Sequence, residues 1–226
     1  MTVPDWAAGT QDGEEESYRI LRSRIDLSRL PRLSRDVTER VIQASADFDY
    51  LTDLVCDEES LIGGVEALAA GAPVIADSAM VAAGIAGIPV ISKIGETLTA
   101  RLARTASISP AAAAVRLAFG ESGPGAVWVL GGGAEALEEM LARRVEPAFV
   151  IGLPVGFVGA AEAKDALRAS GIRSVSNVSE KGGAAVAVAA LAALLGAARP
   201  DDATPAGWDP DVPPGLFDGR GPTRDG

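Results

Sequence analysis

The chain has 226 residues, 48% of them hydrophobic and 4% aromatic, which suits one domain with a substantial core and leaves few stacking platforms for nucleic acid. The 31 acidic and 20 basic residues give a formal charge of -11, so no net positive field draws nucleic acid or an anionic membrane. Histidine is absent and Cys56 is the one cysteine, which excludes intrachain disulfides, imidazole or multi-cysteine metal sites, and Ser-His-Asp or Cys-His catalysis.

Residues 1–13 read as a flexible lead-in without the basic, apolar pattern of a signal peptide, so a cytoplasmic protein is expected. Tyr18, Leu21 and Ile25 recur at helical spacing over residues 14–30, behind an acidic first turn, until Pro31 stops the helix. Asp36 is placed to cap a second helix through Val37, Val41 and Ile42. Residues 50–56 read as a short strand or an extended approach, with Cys56 a small structural residue. A helix over 60–70 closes at Gly71 before Pro73. Residues 73–76 form a short buried strand with a polar end at Asp77 and Ser78, and 89–92 suggest another. Helices are expected over 96–104 and 111–119, the second started by Ser109 and Pro110.

From Gly125 onward the pattern is clearest. Apolar runs at 126–130, 149–152 and 173–178 are each followed by a glycine-rich turn and a helix, at 134–143, 161–170 and from 184 to about 195. The stretch 184–198 is too short to span a bilayer, which takes about 20 residues, and reads as a buried helix. Residues 197–226, rich in Pro, Gly and Asp, read as a disordered tail. The fold class is therefore α/β: a single three-layer domain over 14–196, with a predominantly parallel sheet flanked by helices.

In such sheets ligands bind beyond the carboxyl ends of strands. The loops at Asp77–Met80, Gly131–Glu135, Pro154–Gly159 and Lys181–Gly183 all fall there. Glycine allows close approach, and the helix that follows offers unused N–H groups to acidic substituents. None of these loops matches a dinucleotide or phosphate-loop fingerprint.

Several longer segments carry a resemblance. They are EEESYRILRS (14–23), GAPVIADSAMVAAGI (71–85), GLPVGFVGAAEAK (152–164) and KGGAA (181–185). In this order they resemble the precorrin-8X methylmutase family from about Glu14 to Leu195. The resemblance implies an isomerase of cobalamin biosynthesis, moving a methyl group from C11 to C12 of precorrin-8X or cobalt-precorrin-8. It implies no cofactor and no metal site, a homodimer with pockets near the subunit interface, and a histidine that protonates the macrocycle.

The match departs at three places. In RVIQAS (40–45) Gln43 stands at the histidine position. Ser109, Pro110 and Ala111 stand where Thr-Arg-Ser is common, and Gly132 replaces a common asparagine. Gln43 can donate a hydrogen bond but is no proton-transfer acid near pH 7. Carried onto this chain, the catalytic positions are Gln43 and, as a weaker alternative, Lys181, provided its surroundings lower its pKa. The substrate-binding positions are Arg40, Asp77, Ser78, Met80, Ser109, Gly132, Pro154, Gly156, Phe157, Gly159, Gly182 and Gly183. Two functions remain open at this point: the methylmutase itself, or a non-catalytic tetrapyrrole-binding or pathway-associated homologue.

Overall fold

Side chains along the central strands alternate between two separate cores, and that alternation defines the layers. The computed structural model describes residues 10–198. In β4 (Val127–Leu130), Val127 and Val129 enter one core while Trp128 and Leu130 enter the other. β5 (Phe149–Gly152) does the same, with Phe149 and Ile151 opposed to Val150. All of these side chains are buried, as expected of strands covered on both faces.

The sheet has six strands in the order β1-β6-β5-β4-β2-β3. β2 (Val74–Ala76), β3 (Val90–Ile91), β4, β5 and β6 (Ser174–Asn177) are parallel. Only the edge strand β1 (Leu54–Cys56) runs antiparallel, with Leu54 opposite Asn177. The expected three-layer α/β architecture is the one observed. On one face lie α1 (Thr10–Arg24), α2 (Arg32–Ser45), α4 (Glu58–Ala69), α5 (Ala79–Gly84) and α10 (Ala184–Ala198). On the other lie α6 (Thr97–Ala106), α7 (Pro110–Ser122), α8 (Ala134–Ala142) and α9 (Ala160–Ala169).

α10 is buried among α2, α4 and α5, as its alanine-rich composition suggests. Small residues let it approach closely: a Cβ on Gly131 would lie 2.8 Å from the Ala187 methyl.

Several local expectations are revised. α1 starts at Thr10, inside the span read as a lead-in, and ends at Arg24 rather than continuing to Leu30. The rest of that lead-in, and the tail beyond 198, lie outside the described residues. α2 begins at Arg32, so Asp36 lies within the helix. Its first N–H groups are capped from a distance: the Glu58 carboxylate accepts from Leu33 N and Ser34 N, both at 2.9 Å, and from the Ser34 hydroxyl. A cap supplied by a residue 25 positions away leaves no local pattern. Residues 50–56 divide into one helical turn, α3 (Tyr50–Asp53), followed by β1.

Candidate functional site

Five parallel strands end at the same edge of the sheet, so the loops following β2, β4, β5 and β6 meet there. Hydrogen bonds join them in series, the first to a side chain and the rest between backbones. The Asp77 Oδ2 atom accepts from Gly132 N at 2.8 Å, and Gly132 O accepts from Val155 N at 2.9 Å. Gly156 N donates to Glu180 O at 3.1 Å, and Gly183 N donates to Leu153 O at 2.8 Å. Four loops separated by up to a hundred residues thus form one surface.

Asp77 is buried, and burial pushes its carboxyl up from the ordinary range. Its Oδ1 atom accepts no hydrogen bond among the described residues. A side chain at Gly132 would crowd it, since a Cβ there would lie 3.0 Å from Oδ2. Ser78 accepts from Val81 N at 3.2 Å and caps α5. Ser109 accepts from Ala112 N at 3.1 Å and caps α7. Each hydroxyl keeps its own proton to donate outward.

The Arg116–Glu139 ion pair, at 2.6 Å, joins α7 to the neighbouring α8. Met80, in the first turn of α5, and Phe157, in the loop before α9, are 71% and 94% exposed. Pro154 differs from them: it is buried, and its carbonyl faces inward to Lys164.

Gly159 lies at the start of α9 with φ 79°. Gly182 and Gly183 precede α10 with φ 150° and 117°. At Gly182 no other residue fits, because a Cβ would stand 2.5 Å from the Pro154 carbonyl oxygen. The N-termini of α8, α9 and α10 all open onto this edge, where their dipoles favour anionic substituents.

Gln43 is half-buried in the last turn of α2, and Arg40 is exposed one turn earlier. That end of α2 is tied to the loops by Lys181, whose Nζ sits 2.7 Å from Asp47 Oδ2 and 2.5 Å from Asp49 Oδ2. Hydrogen bonds to these two carboxylates push the Lys181 amine above the ordinary lysine range. Proton donation near neutrality would need the opposite shift, so Lys181 reads as a tether. Cys56 is half-buried, and burial pushes its thiol up to about 12, which agrees with a structural role.

Lys164 was not singled out from sequence. It is fully buried on α9, and its Nζ donates to Asn177 Oδ1 (2.8 Å), Pro154 O (3.2 Å), Lys181 O (2.7 Å) and Ser179 O. Asn177 is fully buried too and donates from Nδ2 to Asp53 Oδ2 at 2.8 Å. Asp53 also accepts from Val178 N, Ser179 N and the Ser179 hydroxyl. Burial pushes the Asp53 carboxyl up, but these donors outweigh it and hold the group below the ordinary carboxylate range. A signal did exist: Ala160, Ala163, Lys164 and Leu167 fall on one helical face, so a lysine interrupts an apolar stripe.

A family model for precorrin-8X methylmutase matches residues 13–197. The chain belongs to the precorrin-8X methylmutase family. Members of this family are isomerases of cobalamin biosynthesis. The chain is 34% identical over 171 residues to the cobalt-precorrin-8 methylmutase of Methanocaldococcus jannaschii, covering 74% of this chain and 81% of that one. It is also 34% identical over 198 residues to a precorrin-8X methylmutase of Sinorhizobium, covering 82% and 92%. The crystal structure of precorrin-8X methylmutase from Thermus thermophilus superposes with a TM-score of 0.75 at 32% identity, covering 83% of this chain and 96% of that one. These likenesses favour a methylmutase over a non-catalytic tetrapyrrole-binding homologue.

Proposed function

We propose that this chain catalyses the migration of a methyl group from C11 to C12 of precorrin-8X or cobalt-precorrin-8, with Gln43 orienting the macrocycle rather than protonating it. The supporting observation is the convergence of the four loops and the end of α2 on one edge of the sheet. The substrate is a broad, carboxylate-bearing ring, and the N-termini of α8, α9 and α10 are suited to its carboxylates. This gives an acidic chain a local preference for an anionic ligand without an arginine at Pro110.

Polar contacts are assigned to Asp77, Ser78, Ser109 and Arg40, and close backbone approach to Gly132, Gly156, Gly159, Gly182 and Gly183. Met80 and Phe157 supply apolar contact. The methyl shift is intramolecular: one carbon–carbon bond breaks at C11 and another forms at C12, so atoms and electrons balance without a co-reactant. The protein's contribution is then the shape in which it holds the ring. A glutamine amide supplies a hydrogen bond but no acidic proton.

The same reading includes a homodimer. Phe157, Val158 and Met80 are 94%, 90% and 71% exposed at the same edge, an apolar surface suited to a second copy. It also places the reaction in the cytoplasm, where a lone thiol such as Cys56 stays reduced. Among the described residues no helix is long and apolar enough to cross a membrane.

The test is anaerobic incubation with precorrin-8X, followed by absorbance and mass-resolved separation, beside Gln43→His. Conversion to an isomer of equal mass is the expected result. A positioned acid contributes roughly 10²–10⁴-fold in rate, so Gln43→His is expected to turn over roughly 10²-fold faster or more. Tight binding with no isomer from either protein would overturn the assignment.

A further inference from the structure

Lys164 stands where helix packing calls for an apolar side chain, and every partner of its ammonium is an acceptor. One of them, Pro154 O, belongs to the loop between β5 and α9. The other three belong to the end of β6 and the loop between β6 and α10. Among the described residues, two backbone hydrogen bonds cross-link those loops, Gly156 N to Glu180 O and Gly183 N to Leu153 O. The ammonium joins the same two loops from beneath.

An ammonium carries three protons for these four acceptors, whereas a neutral amine carries two, and of the four only Ser179 O and Lys181 O have a second donor, Asn177 Nδ2. Burial pushes the Lys164 amine down to about 8; Arg168 adds to this, while Asp53 and Glu180 oppose it. The group therefore carries its charge at neutral pH. Asn177 extends the support to Asp53 at the end of α3, so the β6–α10 loop is held from both sides.

We propose that Lys164 is a positioning residue: its ammonium locks the β5–α9 and β6–α10 loops into one rigid wall against which the tetrapyrrole is held. This rests on the reading of those loops as the substrate surface. Ordering the wall before the ligand arrives removes an entropic cost from binding.

Hydrogen–deuterium exchange on the full chain tests the wall without any ligand. In the wild type, the amides of Val155, Gly156, Val178, Ser179 and Gly183 are expected to open as one unit. Lys164→Met is expected to speed their exchange at least about tenfold, with β4 still protected. Precorrin-8X binding should weaken at least about tenfold, with kcat falling less, and Lys164→Arg should recover part of the loss by keeping the charge. Should Lys164→Met fail to fold, Asp53→Asn takes its place and is expected to loosen both loops together. Independent opening of the two loops in the wild type overturns the proposal, as does unchanged loop exchange in a folded Lys164→Met. A wild type that binds no tetrapyrrole defeats the methylmutase reading, while the exchange result still decides whether the wall exists.

Discussion

Lys164 and Lys181 serve the same loop from opposite sides, and their surroundings drive them in opposite directions. Lys164 lies beneath the loop, fully buried among neutral acceptors, and burial pulls its amine down to about 8. Lys181 lies on the rim, about a third exposed, between Asp47 and Asp49, which push its amine up. The lysine that the sequence offered as a weaker alternative to Gln43 has its amine raised, and the one it passed over has its amine lowered. A lysine's chemistry is set by what replaces its water. Carboxylates stabilise the charge, while a dry cavity of carbonyls holds it only through well-placed hydrogen bonds.

The largest stability effect expected from this contrast is at Lys164. Methionine there keeps the length of the side chain but leaves Asn177 Oδ1 and the Pro154 carbonyl without their donor, and leaves the Ser179 and Lys181 carbonyls with Asn177 Nδ2 alone. Each buried acceptor left unpaired costs about 1–3 kcal/mol, and partial rearrangement reduces the sum, so Lys164→Met is expected to lose about 3 kcal/mol in urea unfolding. A loss no larger than that of a surface substitution would remove the distinction between the two lysines.

A smaller effect appears as pH rises. The folded-state pKa of Lys164 lies below its unfolded value, so between about 8 and 10.5 the unfolded chain holds a proton that the folded chain has released. Stability contributed by this group therefore increases with pH across that window. The gap between wild type and Lys164→Met is expected to widen from about pH 8 to about pH 10 in parallel unfolding curves. A constant gap would mean that Lys164 stays protonated throughout.

The smallest effect is expected at Lys181. Its ion pairs are open to solvent and screened by salt, so Lys181→Met should leave the unfolding midpoint within the scatter of wild type at moderate ionic strength. Turnover of precorrin-8X should persist in that variant, since its amine is a tether and not the acid. Complete loss of turnover in a folded, ligand-binding Lys181→Met would restore Lys181 as a catalytic group.

The alternation of apolar run, glycine turn and helix was readable because each signal is local. β5 coincides with the expected 149–152 run, and β4 and α8 differ from expectation by one residue at an end. Family segments such as 71–85 and 152–164 were readable for the same reason. The loops proposed to receive the ligand also followed from sequence, because in a parallel sheet the carboxyl ends of strands share an edge.

Other features depend on residues far apart in the chain. The start of α2 depends on Glu58, and the polar end of β6 depends on Asp53, more than a hundred residues earlier. Composition and periodicity, with the resemblance they accompany, determined the α/β class, the element order and the family. Tertiary structure decided which charges are spent and which remain available. A charge takes its value from the dielectric and partners around it, and folding brings those together from distant parts of the sequence.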